Sequence, residues 1–126
     1  MKKQLLAVIE LGGYPNFAPL YQSLGYEVTT VNSVRNAIRT LKKLKPDVVV
    51  AEFNFQSDFR DRTSSLESLL STLQWQQHYD VIVFYETEYE HQLQRLEQQY
   101  NLSAKLAFPI EQKVLLETLA NLTVHQ

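Results

Sequence analysis

The feature that most narrows what this chain can fold into is a strict alternation of two segment types. Apolar, partly β-branched runs occur as QLLAVIEL (4–11), YEVTTV (26–31), DVVVAEF (47–53), DVIVFY (80–85) and, more weakly, AKLAF (104–108). Short apolar runs bounded by polar residues are strand signals. Three of them are nearly continuous in apolar character, as a strand needs when helices cover both faces of its sheet. Between the runs lie segments with helical spacing. Asn16 is placed to cap a helix that stops before Gly25, a residue suited to the left-handed position at a helix end. Ser33 is placed to cap 34–45, where Val34, Ile38, Leu41 and Leu44 form one apolar stripe before Pro46. Ser64 with Glu67, and Thr87 with Glu90, have the spacing of capping boxes. They precede Leu66, Leu69, Leu70 and Leu73 in one case and Tyr89, Leu93, Leu96 and Tyr100 in the other. A last helix places Val114, Leu115, Leu119 and Leu122 on one side.

Strands alternating with helices predict parallel pairing through right-handed crossovers, which leaves few topologies open. The simplest is an α/β three-layer sandwich of flavodoxin-like topology: a five-stranded parallel sheet of order 2-1-3-4-5 with five helices. At 126 residues the whole chain, 1–126, reads as one domain, large enough to bury a core without disulfides or metal. In such sheets sites lie beyond the carboxyl ends of the strands, where the first and third adjoin. Glu10 ends the first strand and Glu52 ends the third, so two carboxylates are expected to meet there.

Composition removes several chemistries. There is no cysteine, which excludes thiol nucleophiles, disulfides and thiolate metal sites. Twelve Lys and Arg against fourteen Asp and Glu, a net charge of −2, offer no bulk attraction to nucleic acid or anionic lipid. The start, MKKQLLAVIEL, is broken by Glu10 and lacks a cleavage pattern, so it reads as the first strand of a cytoplasmic protein rather than a leader. Arg35, Arg39, Lys42, Lys43 and Lys45 crowd one segment, most simply as a solvated face, with nucleic-acid binding disfavoured. Glu86, Glu88 and Glu90 suit a helix N-terminus. His78, His91 and His125 lack metal-ligand spacing, and Ser64, Ser65 and Ser68 lack the setting of a nucleophile. GGYPNF, with Gly12 and Gly13, has neither a dinucleotide fingerprint nor a P-loop lysine, and reads as a turn. No metal, no cofactor and no catalytic residue is expected. Tyr14, Phe17, Phe53, Phe55, Phe59, Tyr85 and Phe108 gather near strand ends, where they either fill space or rim a pocket.

On KPDVVVAEF the chain resembles the receiver domain of two-component response regulators, and the likeness spans nearly the whole sequence. In that family a Pro-Asp pair opens the third strand, and a phosphoacceptor aspartate closes it six residues after the proline; here Glu52 holds that place, six after Pro46. The acid ending the first strand, Gly25 before the second and Pro109 after the fifth also fit. The resemblance further implies an acid pair at the first strand for magnesium, where this chain has Glu10 followed by Leu11. It implies a Thr or Ser closing the fourth strand, where Tyr85 stands; a slip of one residue would bring in Glu86 or Thr87. It implies a Lys before the last proline, where Phe108 stands, and an inward-rotating aromatic three positions earlier, where Lys105 stands.

Phosphoryl transfer depends on metal and cation to offset developing negative charge, and the expected pocket has carboxylates instead. The resulting expectation is a degenerate pseudo-receiver: not an enzyme, but a phosphorylation-independent signalling or regulatory interaction module. Its partner is another protein, met through the face of the fourth helix, fifth strand and fifth helix; a homodimer is compatible, a membrane is not. Other readings stay open for Glu52: a permanent partial mimic of phosphoaspartate, or a solvated or helix-paired acid at a strand end. A small-ligand module with an aromatic-rimmed crevice is the rival function, and an acid/base pair of Glu10 and Glu52 a more distant one.

Overall fold

The computed structural model describes residues 3–10, 12–53, 65–76 and 79–123. Its strands are β1 (Lys3–Val8), β2 (Tyr26–Val31), β3 (Val48–Glu52), β4 (Asp80–Tyr85) and β5 (Ala104–Ala107). The helices are α1 (Ala18–Ser23), α2 (Val34–Leu41), α3 (Ser65–Leu73), α4 (Glu90–Glu97) and α5 (Gln112–Thr123), with a 3₁₀ turn at Thr87–Tyr89 before α4. The strands form one sheet of order β2-β1-β3-β4-β5, every neighbouring pair parallel, as the alternation predicted.

Strand periodicity sorts the core into two layers. Leu6, Val8, Val49, Ala51, Val81 and Val83 face α2, α3 and α4, meeting Ala37, Leu69, Leu70 and Leu93. Leu5, Ala7, Val48, Val50, Ile82 and Phe84 face the other way, onto Phe17, Tyr21, Leu115 and Leu119. All five residues of β3 are buried, so its continuous apolar run has the setting it requires. By the same alternation Glu52 falls on the face of Val48 and Val50, and in register it stands opposite Phe84.

Helix starts and stops follow the sequence in part. Ser33 caps α2, its Oγ accepting from the Asn36 N–H at 3.0 Å. Gly25, with φ of 93°, turns the chain after α1. Asn16 accepts from the Ala18 N–H at 3.0 Å, but the cap position itself falls on Phe17. The Thr87–Glu90 box does not form, because Thr87 enters the 3₁₀ turn and α4 begins at Glu90 without a side-chain cap. α2 stops at Leu41, leaving Leu44 beyond the helix and its closing turn, in keeping with the extended backbone favoured before a proline. On α5 Leu115, Leu119 and Leu122 are buried while Val114 is exposed, off the expected face. Ser64, Leu11, Phe55, Phe59, His78 and His125 lie outside the described residues. Among the described residues no helix is long and apolar enough to cross a membrane.

Leu69 is fully buried between α3 and the sheet. Replacing it with alanine is expected to cost about 2–5 kcal/mol, whereas Ser33→Ala removes one cap bond and costs about 1 kcal/mol. Urea unfolding that ranked the two in the opposite order would contradict this packing.

Candidate functional site

Glu52 is the one charged side chain buried among the described residues, with 3% of its surface exposed. An ionised carboxylate placed there without donors would be strongly destabilising. The first loop supplies donors. The Glu10 N–H reaches Oε1 at 3.1 Å, the Gly12 N–H reaches Oε2 at 3.3 Å, and the Tyr14 hydroxyl donates to Oε2 at 2.5 Å. Glu52 is therefore not the solvated strand-end acid that was one reading of the sequence.

Local sequence explains how the loop gets there. Gly12 and Gly13 have φ of 71° and 82°, a left-handed stretch that side chains resist, and it carries the chain from β1 back over the strand ends. Tyr14 then settles among rings: edge-on to Phe84 at 5.5 Å, stacked on Phe17 at 5.9 Å and tilted against Phe108 at 5.6 Å between centroids. Burial, and next the hydrogen bond to Glu52, push the Tyr14 hydroxyl above its ordinary range, so it stays protonated and remains a donor. The glycine pair, read from sequence as a turn, thus has one N–H turned to a side chain of the same protein.

The two sequence-expected carboxylates meet differently from a metal-binding pair. The Glu10 main chain donates to Glu52, while its own Oε2 accepts from the Val34 N–H at 3.4 Å, at the first turn of α2. Beyond the strand ends lies a cleft of about 710 Å³, walled by Gly12, Tyr14, Glu52, Glu86, Thr87 and Phe108 among others. Its described lining includes Glu52, Glu86 and Glu88 and no Lys or Arg. Among the described residues no three His, Asp or Glu side chains group as metal ligands. Glu52 already accepts from the loop and Glu10 turns toward α2, so these groups do not fit the several-oxygen, octahedral shell that magnesium requires.

The remaining positions separate by strand parity. Phe108 lines the cleft and packs on Phe84 at 6.1 Å, next to a cis Phe108–Pro109 bond. Tyr85 was expected to help occlude the cleft, but it is buried on the opposite face with Leu93 and Leu96. Adjacent residues of a strand point to opposite faces, and Phe84 already takes the cleft side. Glu86 and Thr87, the residues a one-residue slip would bring in, lie on the cleft wall. Lys105 shares Tyr85's side, its Nζ 5.8 Å from that ring and paired with α4 through Glu97 at 2.8 Å and Glu90 at 3.8 Å. The Glu97 bond raises its pKa. Sequence reasoning missed Tyr14 as the donor to Glu52; the Gly-Gly-Tyr order, two left-handed residues before a hydroxyl, was the available signal. Phe53 is buried in the core and also borders the cleft, and His91 is exposed.

Tyr14→Phe removes a hydrogen bond to a charged group and is expected to lower stability by about 1.5–3 kcal/mol near neutral pH. The pKa values of Tyr14 and Tyr21 are raised in the fold above the ordinary 10.0. The stability they contribute is therefore intact below about pH 10 and declines as pH rises beyond it. The variant should flatten that alkaline decline in urea titrations repeated across pH; an unchanged alkaline slope would contradict the buried hydroxyl.

No protein-family model matches the sequence, and no curated protein matches it. Solved structures do. Chemotaxis protein CheY4 of Vibrio cholerae is 20% identical with a TM-score of 0.74, over 96% of this chain and 98% of that one. The receiver domain of a sensor histidine kinase from Pseudomonas aeruginosa, with magnesium coordinated in its active-site cleft, is 17% identical with a TM-score of 0.69, over 96% and 97%. The regulatory domain of the repressor of iron transport regulator RitR, in its inactive form, is 13% identical with a TM-score of 0.74, over 98% and 97%. At such identities the likeness is one of architecture, and on it this chain has the fold of a response-regulator receiver domain.

Proposed function

We propose that this chain is a receiver-type signalling module that acts by binding another protein and does not depend on phosphorylation. The observation that carries the reading is the state of Glu52: its carboxylate accepts from the Glu10 and Gly12 amides and the Tyr14 hydroxyl, while an aromatic ring, Phe108, stands where a cation would be needed. A phosphoryl group brought to this cleft meets Glu86 and Glu88 with no described Lys or Arg on the wall. Anions that close repel an incoming phosphate, and without compensating positive charge the transfer loses its main source of acceleration. Thr87 supplies a hydroxyl to the wall, but a hydroxyl does not replace the cation. The module is accordingly not an enzyme, and it works in the cytoplasm.

The face of α4, β5 and α5 is the proposed contact surface. β5 is an edge strand, half-buried along its length, and such an edge offers main-chain groups as well as side chains to a partner. Lys105 ties this strand to α4 through Glu97 and Glu90, so strand and helix present their side chains together. A homodimer is one form such a contact can take. The rival reading, a small-ligand module, is favoured by one feature, the aromatic-rimmed cleft of about 710 Å³.

Beryllofluoride or acetyl phosphate with magnesium is expected to leave the amide NMR spectrum unchanged. Shifts centred on Glu52 would overturn the proposal, and shifts produced instead by small molecules from a metabolite mixture would favour the rival. Capture of a partner from native extract should persist in Glu52→Gln and weaken severalfold in Lys105→Glu, which sets like charges against α4.

A further inference from the structure

Away from the cleft, at the opposite end of the sheet, α2 and α3 leave an apolar groove between them of about 200 Å³. Its floor is Ile38, Leu41 and Leu73. Trp75, the single tryptophan of the chain, stands beside it with 90% of its surface exposed. Fold stability does not account for that placement, since an aromatic side chain normally buries on the order of 150–250 Å². Lys42 and Lys45 form the other wall, both exposed. Lysine stems lie readily along apolar surface and keep the ammonium in water, so this wall is apolar at its base and cationic at its lip.

The charge around the groove has one sign. Residues 35–45 carry Arg35, Arg39, Lys42, Lys43 and Lys45 with no acid among them. None of these cations forms an ion pair among the described residues, where Lys105 alone does. The nearest acid after them, Asp47, accepts from the Gln4 N–H at 2.9 Å. On the facing helix the acid is Glu67, in the first turn of α3, at the other end of the helix from Trp75, which follows its last turn.

We propose that this groove is a docking site for an acidic segment of a partner protein, with one apolar or aromatic side chain seated against Trp75 and Leu41 and its carboxylates on Lys42 and Lys45. Complementary charge steers such a segment and sets its register, and an exposed tryptophan beside a small apolar pocket has the character of a binding anchor. The apolar floor and the net charge of −2 argue against a nucleic acid as occupant. The site is independent of the reading of Glu52.

Phage-displayed random peptides selected on the whole chain test it. Enriched sequences are expected to carry several Asp or Glu around an apolar residue, to shift Trp75 emission to the blue, and to bind on the order of tenfold more weakly to both W75A and K42E/K45E. Trp75, Lys42 and Lys45 are all exposed, so these variants should keep the parent's urea midpoint. Enrichment without acids, no enrichment, or undiminished binding to the variants would overturn the proposal. Two further results would also overturn it: a concentration-dependent dimer abolished by W75A, which puts a second copy in the groove, and single-stranded DNA bound through the same residues where no peptide binds.

Discussion

A carboxylate at the end of an inner strand has to be held by donors, and here the holding of Glu52 organises the whole carboxyl edge of the sheet. Glu10, Gly12 and Tyr14 come from one short loop, so satisfying a single buried charge also decides where the β1–α1 connection runs. With the loop in place, the Tyr14 ring lies against Phe17, Phe84 and Phe108, and this cluster closes one side of the cleft. Electrostatics and packing act on the same residue: the hydroxyl serves the carboxylate because the ring is buried, and burial keeps the hydroxyl protonated.

Charge is distributed by strand parity. Val83, Tyr85 and Lys105 belong to one face of the sheet, Phe84, Leu106 and Phe108 to the other. The lysine of β5 therefore points toward α4, where Glu97 and Glu90 take it, and the ring three residues later points into the cleft. The side-chain period of a strand is two, so no small adjustment exchanges them. An aromatic ring on the cleft wall, and a cation committed to the helix on the other side, follow from this parity.

The two proposed contact regions sit on different parts of the scaffold. One is the edge strand β5 with its flanking helices; the other lies where α2 and α3 end, beside the amino ends of β3 and β4. Occupation of one leaves the other open.

Much of the architecture was legible from local pattern. Runs such as DVVVAEF cannot sit at a surface, and their alternation with amphipathic segments leaves the order 2-1-3-4-5 as the simplest solution; Ser33 and Gly25 mark boundaries by chemistry that acts within a few residues. The lack of cysteine and the placing of Glu10 and Glu52 at adjoining strand ends were also readable in the sequence, though it is the Glu10 main chain that reaches Glu52. What the letters left undecided were relations between residues far apart in the chain. Nothing near Glu52 says that its donors come from positions 10, 12 and 14, roughly forty residues earlier. Nothing near Tyr85 says that it turns away from the cleft, or that Thr87 takes the wall. Backbone propensity and hydrophobic period are local quantities, and they determined the elements and their order. The partner of a buried charge and the side to which a ring turns are set by which strand ends the sheet brings together, and only the tertiary structure decides that.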